Sequence, residues 1–199
     1  MTNKTKFNFR STLIYLLITI ISFSAFSQNN DIQSLYNQAT KSLKLFVIKK
    51  PLNNAKYDIS DSTFYGEYLM HSSEKKVDDK VFLEIIENSK HVDTADWQDT
   101  ELSGSILIKD SIAPVDLNYV INKFSLNKKL IHTYKRETKR FNRHIADRRY
   151  YSMSRPVMDD THKYAVVNIS NNYYGGMLLM FNKEGNIWKE LGMIDVWRY

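Results

Sequence analysis

The chain has 199 residues, a formal net charge of +6 and no cysteine. The missing thiols exclude disulfides, thiol catalysis, thiolate metal sites and lipid attachment at a cysteine. The length is enough to bury a core without disulfides, even for a protein outside the cytoplasm.

The first 27 residues read as an export signal. Lys4, Lys6 and Arg10 form a positive start with no acidic residue, Leu13 to Phe26 is apolar, and Ala25-Phe26-Ser27 supplies a small-x-small cleavage site before Gln28. An apolar run of about 14 residues is short of the ~20 needed to span a bilayer, so cleavage is expected in preference to a retained anchor. No later segment is apolar enough to span. The expected organisation is a signal peptide over 1–27 and a single domain over 28–199, soluble in the periplasm or secreted. A cysteine-free exported chain rich in Lys, Asn, Ile and Tyr fits a bacterial source. The signal carries three of the positive charges, which leaves +3 for residues 28–199. Residues 128–149 hold nine Lys/Arg against two Asp/Glu, so the rest of that domain is net negative.

Asp31 is expected to cap a first helix running to about Ile48. Ile32, Leu35, Tyr36, Ala39 and Leu43 lie on one helical face, and Pro51 closes the element. Residues 57–72 are aromatic and ambiguous, with a helix or irregular turn preferred. Asp78 or Asp79 caps a second helix to about Ser89, with Val81, Phe82, Ile85 and Ile86 as its apolar face. Ile106-Leu107-Ile108 reads as a short buried strand or helical turn. Pro114 and Asp116 introduce a helix through Phe124, and a helix is expected within the basic segment 128–149. The last third alternates β-rich runs with turns: 152–157, 163–170, 176–182 and 187–197. Lys183-Glu184-Gly185-Asn186 reads as a tight hairpin with Gly at the position needing positive φ. Tyr164, Val166 and Ile169 break strict alternation, which predicts a bulge or a strand buried on both faces near Asn168. The fold class is therefore α+β, with N-terminal helices followed by a C-terminal antiparallel β-meander.

Ser154-Arg155-Pro156-Val157, Lys163-Tyr164-Ala165-Val166-Val167, Gly175-Gly176 and Ile187-Trp188-Lys189-Glu190 follow one another at hairpin spacing. With Asn88-Ser89-Lys90 and Asp93-Thr94-Ala95-Asp96-Trp97, this pattern resembles a group of small exported proteins of Bacteroidota to which no activity is attached. Members often carry cysteines near the double glycine; this chain has none, so no disulfide carries over. The resemblance implies an exported bacterial domain and assigns no catalytic residue.

The candidate ligand-binding residues are Lys135, Arg136, Lys139, Arg140 and Arg143 of the basic segment, with Tyr173 and Tyr174 of the polar turn Asn171 to Tyr174. Lys128, Lys129, Arg148 and Arg149 complete the segment, and Tyr134, Phe141, Tyr150 and Tyr151 interleave it. Basic residues mixed with aromatics suit phosphate backbones, but outside the cytoplasm the fitting anions are membrane headgroups, lipid A phosphates or acidic glycans, with nucleic acid ranked last. The competing reading is a solvated helix face whose stems cover apolar surface.

Other constellations rank lower. Asp159, Asp160 and His162 have metal-ligand chemistry but ordinary turn composition. His144 and Asp147, one helical turn apart, can pair as base and orienter. Glu84 and Glu87 share a helix face, and Trp97, Trp188 and Trp197 can stack on sugars or anchor a core. Asn168-Ile169-Ser170 is a formal glycosylation sequon within an expected strand. There is no His-Glu-x-x-His zinc pattern, no Gly-x-Ser-x-Gly elbow and no Gly-rich phosphate loop. No cofactor, no metal site and no catalytic residue is assigned. The expected function is non-enzymatic binding of a ligand the sequence does not identify, with an anionic envelope surface engaged through the basic segment as the candidate. The alternatives are a small envelope-directed hydrolase, or an accessory or immunity-type partner of another exported protein.

Overall fold

A computed structural model describes residues 31–40, 46–52, 77–126 and 128–198. The expected export signal over 1–27, residues 41–45 and the 57–72 segment lie outside the described residues.

Helix α1 covers residues 31–39 and buries Leu35 and Tyr36 completely. It does not reach Ile48 as its periodicity suggested, because Phe46–Ile48 is strand β1. Phe-Val-Ile is a β-favouring triplet, and it pairs in parallel with β2, Ile106–Ile108, whose partners lie 60 residues away at matched positions such as Phe46 and Ile106. Asp31 does not act as the expected cap. It lies within α1, and its carboxylate accepts hydrogen bonds from Lys183 Nζ at 2.5 Å and Trp188 Nε1 at 3.0 Å, tying α1 to the last hairpin.

Helix α2 spans Asp79–Ser89 and is capped by the Asp78 carboxylate, which accepts from the Lys80 N–H. Helix α3 spans Leu117–Phe124 with Asp116 as its cap, and ends at Ser125 in the left-handed conformation. Helix α4 spans Lys128–Arg143, and a short 3-10 turn, Ile145–Asp147, follows it.

The remaining strands are β3 (Tyr151–Met153), β4 (Val157–Met158), β5 (Tyr164–Asn171), β6 (Gly175–Glu184) and β7 (Ile187–Trp197). The described residues form a seven-stranded sheet in the order β2-β1-β3-β5-β6-β7, with β4 also paired to β5. The expected run 152–157 is thus two strands on one edge of β5, bent at Ser154-Arg155-Pro156. From β3 onward the sheet is antiparallel; β1 joins both β2 and β3 in parallel. The protein is α+β, its helices preceding a C-terminal meander. Two short strands, β1 and β2, interleave with the helices.

Both faces of the sheet are covered. On one face α1 and Trp97 pack on Val47, Met153, Ala165, Val167, Ile169, Leu179 and Phe181. On the other, α2 packs Phe82 and Ile85 on Val157, Val166, Leu178 and Met180. Beside it, Val120 of α3 and Phe141 of α4 cover Ile106 and Ile108 of β2. Two-sided burial explains the broken alternation around Asn168. Strand β5 pairs with β6 in one unbroken register from Tyr164 to Asn171, with Ile169 on the α1 face and Val166 on the α2 face. The register shifts fall instead between β6 and β7, at Leu178/Leu179 and Met180/Phe181.

A polar joint fixes α3 to β2. The Tyr119 hydroxyl donates to Asp99 at 2.6 Å and accepts from the Leu107 N–H at 3.2 Å, while Lys123 Nζ donates to Asp99 at 2.8 Å. Burial and then the bond to the Asp99 carboxylate push the Tyr119 phenol well above its ordinary value; the Leu107 N–H opposes this only partly. Burial alone would raise Asp99, but the bonds from Lys123 and Tyr119 outweigh it and hold the carboxyl below its usual range. A phenol raised on folding contributes stability that is complete below its unfolded value of 10.0 and is lost as pH rises through its folded value. The melting-temperature advantage of wild type over Tyr119→Phe is therefore expected to be constant from neutral pH to pH 10.0 and to shrink above it, and to shrink again in acid as Asp99 protonates. Thermal scans of both proteins across the acid and alkaline ranges measure this.

Candidate functional site

The exposed surface of α4 follows from its sequence. Thr138 and Phe141 are buried, and Ile131 and Tyr134 lie half-buried on the same side. Lys135, Arg136, Lys139, Arg140 and Arg143 are all exposed. At about 100° per residue they cover a continuous arc of roughly 140° opposite the buried stripe. The single acidic residue of the helix, Glu137, sits at the margin of that arc and, among the described residues, pairs with Arg136 alone, at 3.5 Å between two exposed side chains. Such a pair contributes little to stability.

The end of the segment is built differently. Arg148 is almost fully buried, and all its hydrogen bonds go to backbone carbonyls. Its Nε donates to Phe141 O at 2.8 Å, one terminal nitrogen to Ser111 O and Ala113 O at 2.9 and 3.1 Å, and the other to Asn142 O at 3.5 Å. The guanidinium also lies 4.7 Å from the centre of the Phe141 ring, which stacks on Phe46. Two carbonyls at the end of α4 and two of the 111–113 loop thus share one fixed cation.

The neighbouring Arg149 is exposed and connects α4 to the tyrosine turn. Its guanidinium lies 5.6 Å from the Tyr173 ring and 5.4 Å from the Tyr174 ring. The two rings meet edge to face at 5.0 Å and are 61% and 57% exposed. Asparagines hold this turn. Asn171 Oδ1 accepts from the N–H groups of Tyr173 and Tyr174, Asn172 Oδ1 accepts from the Tyr150 N–H, and Asn172 Nδ2 donates to Arg148 O. Arg140, His144 and Arg149 line one open cleft of about 360 Å³, whose floor includes Phe46 and Phe141, with Glu137 and Asp147 also on its wall.

The fold therefore brings Arg140 together with Tyr173 and Tyr174 through Arg149. Lys135, Arg136, Lys139 and Arg143 extend the same positive face along α4. Arg149 was the missing link, and its only local signal was membership of the basic segment. What puts it beside the turn is the pairing of Tyr151 with Asn171. His144 and Asp147 both line this cleft, but no hydrogen bond or ion pair joins their side chains among the described residues; the Asp147 N–H bonds to the His144 carbonyl, and α4 stops at Arg143.

A second concavity, of about 530 Å³, lies between α2 and the β3–β4 bend. It collects His91, Asp93, Arg155, Asp160 and His162. Its carboxylates are engaged in the fold. Glu101 pairs with the buried Arg155 guanidinium, which also donates to Ala95 O and Asp96 O and stacks 3.9 Å from the centre of Trp97. Asp159 accepts from the N–H groups of Lys163 and Tyr164 and from Thr161, Asp160 accepts from Asn88, and Asp93 accepts from the Ala95 N–H. Asp159, Asp160 and His162 thus build a turn, closed by His162 in the left-handed region. Among the described residues no group of three His, Asp or Glu side chains is placed to hold a metal ion.

The remaining candidates are structural. Trp97 and Trp188 are core residues and not exposed sugar platforms; the side chain of Trp197 lies outside what the structure describes. Glu84 pairs with Lys80 and accepts from the Asp160 N–H, and Glu87 pairs with Lys90. No family model, no curated protein and no solved structure matches the chain.

Arg148→Met keeps the stem over Phe141 but leaves the carbonyls of Ser111, Ala113, Phe141 and Asn142 without their donor. A loss of about 3 kcal/mol is expected, in line with the cost of stranding buried polar groups. Urea unfolding measures it, with Arg149→Met, whose head group is exposed, as the comparison expected to lose less than about 1 kcal/mol.

Proposed function

We propose that the protein is an exported bacterial binding protein that engages an anionic envelope surface through the exposed face of α4. The observation that carries this reading is the state of its charges. Five cations on α4 project from an arc opposite its buried stripe, and among the described residues only Arg136 has a carboxylate, the exposed Glu137, against it. The charges around the second concavity are instead engaged in turns and in the Arg155–Glu101 pair. Export rests on the sequence of residues 1–27 and on the resemblance to the Bacteroidota group. Among the described residues no helix is long and apolar enough to cross a membrane, which fits engagement at a surface.

The test replaces Arg136, Lys139, Arg140 and Arg143 together with Gln. Each cation near an anionic surface contributes about 1 kcal/mol, so partitioning onto phosphatidylglycerol vesicles or lipopolysaccharide is expected to weaken by roughly three orders of magnitude. The melting temperature stays nearly unchanged, because exposed charges contribute little to stability. Added salt weakens wild-type retention progressively through screening. Wild-type protein that shows no salt-sensitive retention on any anionic surface sinks the reading. So does unfolding of the quadruple variant, which would make these side chains structural.

A further inference from the structure

We infer that the anionic partner is a lipid bilayer, and that the turn bearing Tyr173 and Tyr174 enters its headgroup region beside the cations of α4. This inference rests on the binding proposed above and adds the chemical class of the surface. Three observations carry it. First, the tyrosines are adjacent, more than half exposed and rigidly held: both of their N–H groups bond to Asn171 Oδ1, and Asn172 fastens the turn to Arg148 and Tyr150. A flexible polar turn would leave no fixed aromatic surface; this one presents two rings in a set geometry. Second, the rings are continuous with the positive face. Arg149 lies against both, and it lines the same cleft as Arg140. Third, Ile145, in the turn between the cleft residues His144 and Asp147, is 54% exposed.

Cations flanking exposed aromatic and aliphatic groups match a bilayer interface. Phosphates there meet the guanidinium and ammonium groups, while tyrosine rings sit with their bodies among the upper acyl chains and their hydroxyls among the headgroups. A soluble polyanion offers the phosphate or sulfate partner but no apolar layer for the rings. The two parts of the surface then respond differently to salt: the contribution of α4 is screened, and that of the rings is not.

The absence of cysteine gives a clean probe. Tyr174→Cys in the full chain, labelled with an environment-sensitive fluorophore, reports that position alone. Ile187→Cys is the control: it is 64% exposed and lies at the opposite end of strand β6, roughly 30 Å along the strand at ~3.3 Å per residue. With phosphatidylglycerol vesicles the label at position 174 is expected to shift to the blue and become quenched by brominated acyl chains, while the label at 187 stays unchanged. With heparin neither is expected to shift. A separate variant, Tyr173→Ser with Tyr174→Ser, tests the unlabelled surface. It should keep the salt-sensitive binding but bind vesicles about tenfold more weakly at high salt, the loss of roughly 60 Å² of ring surface at ~25 cal/mol per Å².

Vesicle retention without a blue shift at 174, or with equal shifts at 174 and 187, overturns the bilayer inference and leaves the electrostatic reading standing. An equal blue shift with heparin also overturns it, because the turn then reports contact with any polyanion. Loss of all vesicle and heparin retention in wild type overturns both readings together. If the labelled variant does not fold, the serine variant decides alone: unchanged high-salt affinity overturns the inference.

Discussion

One buried guanidinium organises the surface on which the functional reading depends. Arg148 has no carboxylate among its hydrogen-bond partners; it gathers four carbonyls from the end of α4 and the 111–113 loop. Its own carbonyl accepts from Asn172, at the turn between β5 and β6. The side chain thus fixes where α4 ends, and the backbone fixes where the tyrosine turn stands relative to it. Arg149, one residue on, bridges the two across the cleft. A charge buried this way is costly unless its hydrogen bonds are complete, so the loop, helix end and turn are held together as a unit.

A second joint serves the sheet. The bend at Ser154-Arg155-Pro156 lets two short strands share one edge of β5. Around it the Tyr36 hydroxyl donates to Ser154 O, the Trp97 indole donates to Met153 O, and Arg155 joins Glu101. Tyr36 and Trp97 meet edge to face at 4.8 Å. Charged residues at this bend are consumed in holding α1, the 93–101 loop and β4 together. The contrast with α4 is the basis for assigning function: the terminal nitrogens of Arg155 are engaged by Glu101 and by the Ala95 and Asp96 carbonyls, whereas the cations of the α4 face are exposed, and among the described residues Glu137 is the one carboxylate paired with them.

The sequence made local elements legible where local chemistry controls them. Asp78 and Asp116 marked the starts of α2 and α3, Gly185 marked the last hairpin, and the β-rich runs of the final third became β5, β6 and β7. It misled where distant pairing decides. Leu43 continued the periodicity of α1, so the helix was extended over Phe46-Val47-Ile48, although those residues take their conformation from β2 and β3. The candidate site was legible in composition but not in arrangement. Lys135, Arg136, Lys139, Arg140 and Arg143 could be set on one helix face from spacing alone. That Tyr173 and Tyr174 stand beside Arg149 depends on the register Tyr151↔Asn171, and that Arg148 is structural depends on the end of α4 meeting the distant carbonyls of Ser111 and Ala113. Neither is encoded in a local pattern.

The central claim is that the free charge of α4 and the tyrosine turn form one contact face for an anionic bilayer. Backbone amide chemical-shift mapping on the isotope-labelled full chain, titrated with phosphatidylglycerol-containing bicelles, tests it most directly. The account predicts shifts concentrated at the α4 residues 135–143, at Arg149 and at residues 171–174, with residues 184–187 and the groove around Arg155 undisturbed. Shifts centred on His91, Arg155 and His162, or no localised shifts at all, would contradict it.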